Sequence, residues 1–160
     1  MIAVLSIRRK RNLKFLNCIC RLFFGEVGIG KSSLLALIAK LLMQFLQIDG
    51  NILATKAQRM LNAVSSITDE DKELARRLPT VPILFVDAFG FENYSTDSQI
   101  AKMTDIFEDR YSNHLTTFIA SNVDLRSLSN RNSFYQQFTT YLLDEKKFVR
   151  VVELQGKFRR

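Results

Sequence analysis

The stretch of sequence that decides the fold is GEVGIGKS, residues 25–32. It matches the pattern G-x-x-x-x-G-K-S/T at every fixed position. An apolar run at 15–24 precedes it, and leucines and isoleucines recur at helical spacing from Lys31 onward. A strand before the motif and a helix after it are the context that a phosphate-binding P-loop requires. The sequence therefore predicts a P-loop at residues 25–32.

Each residue type in this loop has a physical reason to be there. Glycines let backbone N–H groups approach an oxyanion closely, and the N-terminus of the following helix adds partial positive charge. Lys31 is predicted to reach the β- and γ-phosphates, and the Ser32 hydroxyl to bind Mg²⁺. The predicted ligand is a nucleoside triphosphate with Mg²⁺. Its predicted contacts are Gly25, Glu26, Val27, Gly28, Ile29, Gly30, Lys31, Ser32 and Ser33.

Strands and helices alternate along the rest of the chain. Dense apolar segments predict strands at 51–55, 81–86, 116–120 and 148–154. Helical periodicity and capping residues predict helices at 56–64, from Thr68 to before Pro79, at 97–111 and at 134–143. This alternation predicts an α/β fold with a mostly parallel central sheet and helices on both faces.

Polar side chains follow two of the predicted strands. Asp87 comes after the strand at 81–86, where a carboxylate can hold Mg²⁺-bound water and the Ser32 hydroxyl. Asn122 comes after the strand at 116–120, which in a parallel sheet can lie between the other two. Its amide would then lie near the γ-phosphate. The alternative for both residues is a simple turn after a strand.

The net charge of +7 is concentrated at the two ends of the chain. Residues 1–21 contain six basic side chains and no acid, and 146–160 contain six basic side chains and one acid. Such clusters can bind the phosphates of single-stranded DNA, or they can be solvated surface. No apolar run reaches the ~18 residues of a membrane helix, and the order of charge and apolar residues at the start is wrong for a secretory signal. The expected location is the cytoplasm.

The chain resembles the AAA+ ATPases of the DnaC-type helicase loaders and the IstB-type transposition helpers. The stretches that carry the resemblance are FFGEVGIGKSSL, ILFVDAFGFEN, IFEDRYSNHLTTFIASN and the closing VVELQGKFRR. The third places an Arg-Tyr pair just before the strand that ends in Ser-Asn, as these proteins do. The resemblance covers an ATP-binding domain at 22–160, after a basic N-terminal segment at 1–21.

The resemblance implies a P-loop NTPase of the AAA+ type that binds ATP and Mg²⁺. Asn122 resembles the sensor-1 residue, which with Lys31 and Asp87 would form the catalytic set. Arg159 resembles the sensor-2 arginine, with Arg160 or a solvated tail as alternatives. The implied partners are a replicative helicase or a transposase-like protein, and a homo-oligomer is compatible with the family. Members usually carry a binding region before this domain, where the present sequence has 21 residues, which agrees with a minimal or a truncated version.

Two departures from the family pattern predict weak hydrolysis. Ala88 stands where an acid normally activates the attacking water, and the nearest candidate, Glu92, lies four positions further on. Gln137 and Tyr141 stand where a trans-acting arginine finger is expected, and neither Arg126 nor Arg131 has the expected spacing. A non-enzymatic nucleotide-binding adaptor is therefore an alternative. A P-loop kinase is a weaker one, because it needs an arginine-rich lid and the only mid-chain arginine pair, 76–77, falls on a predicted helix.

Overall fold

The computed structural model describes residues 20–46, 51–143 and 149–156. Five strands and six helices alternate along these segments. In chain order they are β1 (Cys20–Phe24), α1 (Lys31–Leu46), β2 (Ile52–Lys56), α2 (Ala57–Ala63), α3 (Asp69–Arg77), β3 (Ile83–Phe89), α4 (Asp97–Ser112), β4 (Thr116–Ser121), α5 (Leu125–Ser129), α6 (Ser133–Leu143) and β5 (Val149–Glu153). Of these elements, the short helix α5 was not predicted from the sequence.

The five strands form one sheet in the order β2-β3-β4-β1-β5. Every strand pair in the described residues is parallel. The predicted parallel sheet is therefore confirmed, as is the position of β4 between β1 and β3. The carboxyl ends of these three strands lie at the same edge of the sheet, where ligands bind in open α/β sheets.

Helix α1 covers one face of the sheet. Leu35 and Leu42 are buried against Phe23, Phe85 and Phe118 of three neighbouring strands. The rings of Phe85 and Phe118 stack with centroids 4.8 Å apart and planes 10° apart. The helical spacing of the leucines in α1 places Leu41 on its apolar face, but Leu41 remains 41% exposed. The buried face of this helix is therefore narrower than its sequence pattern indicates.

The other helices cover the opposite face, so the prediction of helices on both faces is confirmed. Phe89 of β3 is the centre of an aromatic cluster there, in contact with Phe107 of α4 and with Phe134, Tyr135 and Phe138 of α6. Burial of a large aromatic side chain stabilises a fold by about 1.5–3 kcal/mol. This cluster therefore attaches α4 and α6 firmly to the strand that contains Asp87.

Side-chain caps start three of the helices. Oγ1 of Thr68 accepts a hydrogen bond from the N–H of Asp71, and Thr96 and Asp124 do the same at α4 and α5. The Thr68 cap confirms the predicted start of α3, and Thr96 caps α4. Within the described ranges, no helix is long and apolar enough to cross a membrane.

Candidate nucleotide-binding site

The predicted P-loop joins the carboxyl end of β1 to the N-terminus of α1. Its glycines have φ angles that other residues rarely adopt: 153° at Gly25, 86° at Gly28 and 96° at Gly30. Glycine has no Cβ and adopts such angles without a steric penalty. Successive left-handed and right-handed residues bend a backbone into a concave turn that exposes its N–H groups to an anion.

The Lys31 side chain folds back into this loop. Its Nζ donates hydrogen bonds to the carbonyl oxygens of Gly25 (2.8 Å) and Glu26 (2.6 Å). Burial lowers the pKa of Lys31 from its ordinary value, and the charge of Asp87 raises it in part. The ammonium group thus binds two carbonyls of the loop and lies within electrostatic range of Asp87.

The N–H groups of the loop and of the first turn of α1 fit a phosphate. Among the described residues, none accepts a hydrogen bond from the N–H of Gly28, Gly30, Lys31 or Ser32. The first four N–H groups of a helix have no partner within the helix and carry partial positive charge. Ser32 and Ser33 are exposed in this first turn. The loop therefore offers unpaired donors, a cation and a hydroxyl to the oxyanions of a triphosphate.

The sequence had indicated that Asp87 comes after the end of its strand. In the structure, Asp87 lies inside β3. Strand β3 continues to Phe89 because the Phe89 ring is buried and the residue pairs with Ser121 of β4. The ladder is irregular between Val86 and Phe89, where Asp87 and Ala88 form a β-bulge. The bulge leaves Asp87 half-buried, and its Oδ1 accepts the N–H of Ala88 at 2.9 Å.

Asn122 directly follows β4, and its side chain is exposed at the same edge of the sheet. The structure therefore brings the P-loop, Asp87 and Asn122 to neighbouring strand ends. Their roles toward a nucleotide stay predictions. A buried serine, Ser121, lies beside Asn122 and was overlooked as a site residue, although a polar residue closing an apolar strand could have indicated it.

The segment after β5 lies against the P-loop. The N–H of Leu154 donates to the carbonyl of Phe24 at 2.8 Å, and a Cβ built on Gly25 would lie 2.5 Å from the Leu154 carbonyl oxygen. A Cβ on Gly156 would touch the Ile29 side chain at 3.7 Å. Arg159 lies outside the described residues, as does almost all of the basic segment 1–21.

The structure also shows the surroundings of Ala88 and Glu92, the two residues that bear on the missing general base. Ala88 is exposed and has a φ of 55°. Glu92 is only 7% exposed, and its Oε2 accepts the N–H of Gly90 at 2.8 Å and the hydroxyl of Tyr135. The carboxylate of Glu92 is thus committed to protein groups, which argues against its use as a base for water.

The predicted finger position also points back into the protein. Nε2 of Gln137 donates to Oε1 of Glu108 on α4 at 2.6 Å. Arg131 donates to the Gly90 carbonyl oxygen of the same chain. Arg126 is exposed and is the second residue of α5.

The fold is that of solved replication proteins. The chain is similar to DnaI (TM-score 0.68, 20% identity, covering 98% of this chain and 84% of that one) and to the DnaC helicase loader (0.61, 22%, 85% and 78%). It is also similar to AMPPCP-bound DnaA from Aquifex aeolicus (0.66, 18%, 86% and 40%), so it spans less than half of that chain. These likenesses confirm the predicted α/β fold with a parallel central sheet.

No protein-family model matches the chain, and no curated protein matches it.

Proposed function

We propose that this chain is an ATP-binding module of the helicase-loader type. It binds ATP with Mg²⁺ at the P-loop, hydrolyses it slowly, and uses the bound state to act on a replicative helicase or on single-stranded DNA in the cytoplasm. The observation that supports this most strongly is the P-loop itself. Lys31 fixes the loop carbonyls, and the unpaired N–H groups of the loop fit a triphosphate.

Each predicted contact has a chemical role in this proposal. The backbone of 25–31 surrounds the β-phosphate, and Lys31 neutralises the β/γ oxygens. Ser32 and Asp87 hold Mg²⁺, which requires few protein ligands because phosphate oxygens and water complete its shell. Asn122 contacts the γ-phosphate, Ser33 adds a hydroxyl at the helix N-terminus, and Arg159 contacts the nucleotide from the C-terminal segment.

Slow hydrolysis follows from the side chains behind this site. Ala88 cannot accept a proton, and Glu92 is turned into the protein toward Gly90 and Tyr135. General-base catalysis contributes about 10²–10⁴ in rate. A trans-acting arginine contributes about 10³–10⁵, and the side chain at position 137 is a glutamine held by Glu108.

The proposed helicase and DNA partners are supported by the fold and by the basic residues at both ends of the chain. DnaI, the DnaC helicase loader and DnaA have a similar fold, and the DnaA structure holds the ATP analogue AMPPCP. The basic ends of the chain suit contact with the phosphates of DNA. A transposase-like partner is the alternative within the same class.

A second candidate function is a non-enzymatic adaptor in which bound nucleotide only orders the protein. The buried, committed carboxylate of Glu92 favours it. A P-loop kinase is disfavoured, because Arg76 and Arg77 lie on the regular helix α3, where Arg76 pairs with Glu73 at 3.5 Å.

Binding of a fluorescent ATP analogue tests the proposal. The expected result is saturable, Mg²⁺-enhanced binding that weakens about 100-fold in Lys31→Ala, because charge-assisted hydrogen bonds to phosphate are lost. Lys102→Ala is the matched control, since Nζ of Lys102 donates to the Val64 carbonyl (2.7 Å) between α2 and α4. Equal affinity in Lys31→Ala and the wild type would rule out the site. Phosphate release, measured with and without helicase and single-stranded DNA, separates a slow ATPase from an adaptor.

A further inference from the structure

Ser121 is a completely buried hydroxyl at the end of β4, with 0% of its surface exposed. Its Oγ lies 2.8 Å from the Phe89 carbonyl oxygen and 3.0 Å from that of Val123, and it accepts the N–H of Val123 at 2.9 Å. One hydroxyl proton can be donated to one carbonyl at a time. Ser121 thus bonds to β3 on one side and to the turn after β4 on the other.

On the β3 side, this hydroxyl holds the end of the β-bulge. Val86 pairs with Ile119 and Phe89 pairs with Ser121, so β3 advances three residues while β4 advances two. The extra residue places Ala88 at a φ of 55°, which costs a residue with a Cβ about 1–2 kcal/mol. A backbone of this kind persists only where its surroundings hold it. The Ser121 hydroxyl on the Phe89 carbonyl is such a restraint, placed two residues after Asp87.

On the other side, the hydroxyl holds the turn that contains Asn122. The bond from the Val123 N–H closes a short loop around Asn122, whose own side chain stays exposed. The packing beside it leaves little freedom. A Cβ on Gly90 would lie 2.8 Å from Leu128 Cδ2, 3.2 Å from Val123 Cγ2 and 3.4 Å from Ser121 Oγ.

We propose that Ser121 is a positioning residue that fixes Asp87 and Asn122 relative to each other. Its hydroxyl oxygen bonds both to the bulge and to the turn. The distance between the carboxylate of Asp87, which would hold Mg²⁺, and the amide of Asn122, which would contact the γ-phosphate, therefore stays constant. This inference rests on the proposed function. Its consequence is that Ser121 affects nucleotide binding mainly in the presence of Mg²⁺, because Asp87 acts only through the metal, whereas the P-loop contacts the phosphates with or without it.

The test compares Ser121→Ala with Thr117→Val. Thr117 is a buried hydroxyl on the same strand, 3% exposed, but it accepts the Nε–H of Arg110 at the opposite end of the sheet. The dissociation constant of a fluorescent ATP analogue is measured for each protein in Mg²⁺ and in EDTA. Thermal unfolding is recorded to show that each variant is folded.

We expect Ser121→Ala to lose about ten-fold in affinity in Mg²⁺ and to stay within about two-fold of the wild type in EDTA. Thr117→Val keeps the full Mg²⁺ effect even where its melting temperature falls. Ser121→Cys, whose thiol is a weaker donor and acceptor, gives an intermediate loss and replaces Ser121→Ala if that variant does not fold.

The outcomes separate this inference from the proposed function. A wild-type Mg²⁺ effect in folded Ser121→Ala or Ser121→Cys overturns the positioning role alone. An equal loss of affinity in Mg²⁺ and in EDTA overturns it too, because a general defect of the fold explains such a result. A wild-type chain that binds no nucleotide in either buffer overturns the proposed function, and the role of Ser121 with it.

Discussion

The phenolic hydroxyl of Tyr135 donates a hydrogen bond to the buried carboxylate of Glu92. The same carboxylate oxygen accepts the N–H of Gly90 at 2.8 Å. The second oxygen, Oε1, has no hydrogen-bond partner among the described residues. Arg131, which donates to the Gly90 carbonyl, is the nearby cation. The hydrogen bond between Tyr135 and Glu92 connects the loop after Asp87 to helix α6.

The Glu92 contact predicts a pH dependence of stability. Burial raises the pKa of Glu92, and hydrogen bonds from Tyr135 and Gly90 oppose the shift only in part. A carboxyl group whose pKa is higher in the folded than in the unfolded protein stabilises the fold fully at low pH. That contribution is lost as the pH rises through the folded pKa. Glu92→Gln keeps the size and an acceptor oxygen but cannot ionise.

We therefore expect Glu92→Gln to gain stability relative to the wild type as the pH rises from the ordinary pKa of a glutamate through the raised pKa of Glu92. The free energy of unfolding, measured by urea denaturation at several pH values, gives the difference curve. Glu73→Gln is the control, because Glu73 is exposed on α3. A flat difference curve for Glu92→Gln would show that the carboxyl group has an ordinary pKa.

Arg110 predicts a large loss of stability on truncation. It is 1% exposed, and its guanidinium donates to the carbonyl oxygens of Leu78 (2.8 Å), Val81 (2.8 Å) and Thr116 (2.7 Å) and to Thr117 Oγ1 (2.9 Å). Burial lowers the pKa of Arg110 to about 10, so the group is still charged at neutral pH.

Arg110→Met removes all four hydrogen bonds and takes the guanidinium donor from the carbonyl oxygens of Leu78 and Val81. We expect a loss of about 3 kcal/mol or more in the free energy of unfolding, since each unpaired buried group costs about 1–3 kcal/mol. Arg76→Met, on the exposed side of α3, should stay within about 0.5 kcal/mol of the wild type. Urea denaturation of the three proteins measures the difference. Equal stability of the two variants would contradict the role of Arg110 as a link between α4, β4 and the segment before β3.

The fold could be predicted from the sequence because its evidence is local. Single elements are indicated by the P-loop motif, by the helical period of α1 and by the apolar segments before Asp87 and Asn122. Because the strands are parallel, the carboxyl ends of these strands then lie at one edge of the sheet. Features that depend on long-range contacts could not be predicted. The partner of Glu92 lies 43 positions away in the sequence, and no pattern around Glu92 indicates it.

Two features that were not predicted, the buried Arg110 and the β-bulge at Asp87, are partly indicated by the sequence. Arg110 follows Met103 and Phe107 at helical spacing, so its place on the buried face of α4 could have been inferred, whereas its four acceptors could not. The β-bulge at Asp87 depends on the pairing of Phe89 with Ser121. An apolar residue after a strand-end acid is compatible with a turn as well as with a continued strand.

The contact between Gly25 and the end of β5 predicts that position 25 accepts no larger residue. In Gly25→Ala the new Cβ would lie 2.5 Å from the Leu154 carbonyl oxygen, at a φ of 153°. We expect a loss of at least about 2 kcal/mol in stability, because a backbone atom cannot move aside at little cost. Gly156→Ala is the control, since its Cβ would make an ordinary contact of 3.7 Å with Ile29. Similar melting temperatures for the two variants would contradict the close approach.

Ala88→Glu is predicted to raise the rate of ATP hydrolysis. Ala88 is exposed beside Asp87, so a longer side chain can extend into solvent at the edge where the γ-phosphate is expected. A correctly placed general base contributes about 10²–10⁴ in rate, and we expect an increase near the lower end because the arginine finger is still missing. Phosphate release at saturating ATP measures it, and nucleotide affinity should change by no more than about three-fold.

Ala88→Gln is the matched control for that experiment, because glutamine has the same length and cannot take a proton from water. An increase in Ala88→Glu alone assigns the defect to the missing base. No increase in either variant would place the block elsewhere, and the first position to change would then be Gln137. Its bond to Glu108 keeps the expected finger position directed toward its own subunit. Gln137→Arg combined with Ala88→Glu should then restore turnover only at protein concentrations that allow two chains to meet, since an arginine finger acts on a neighbouring subunit.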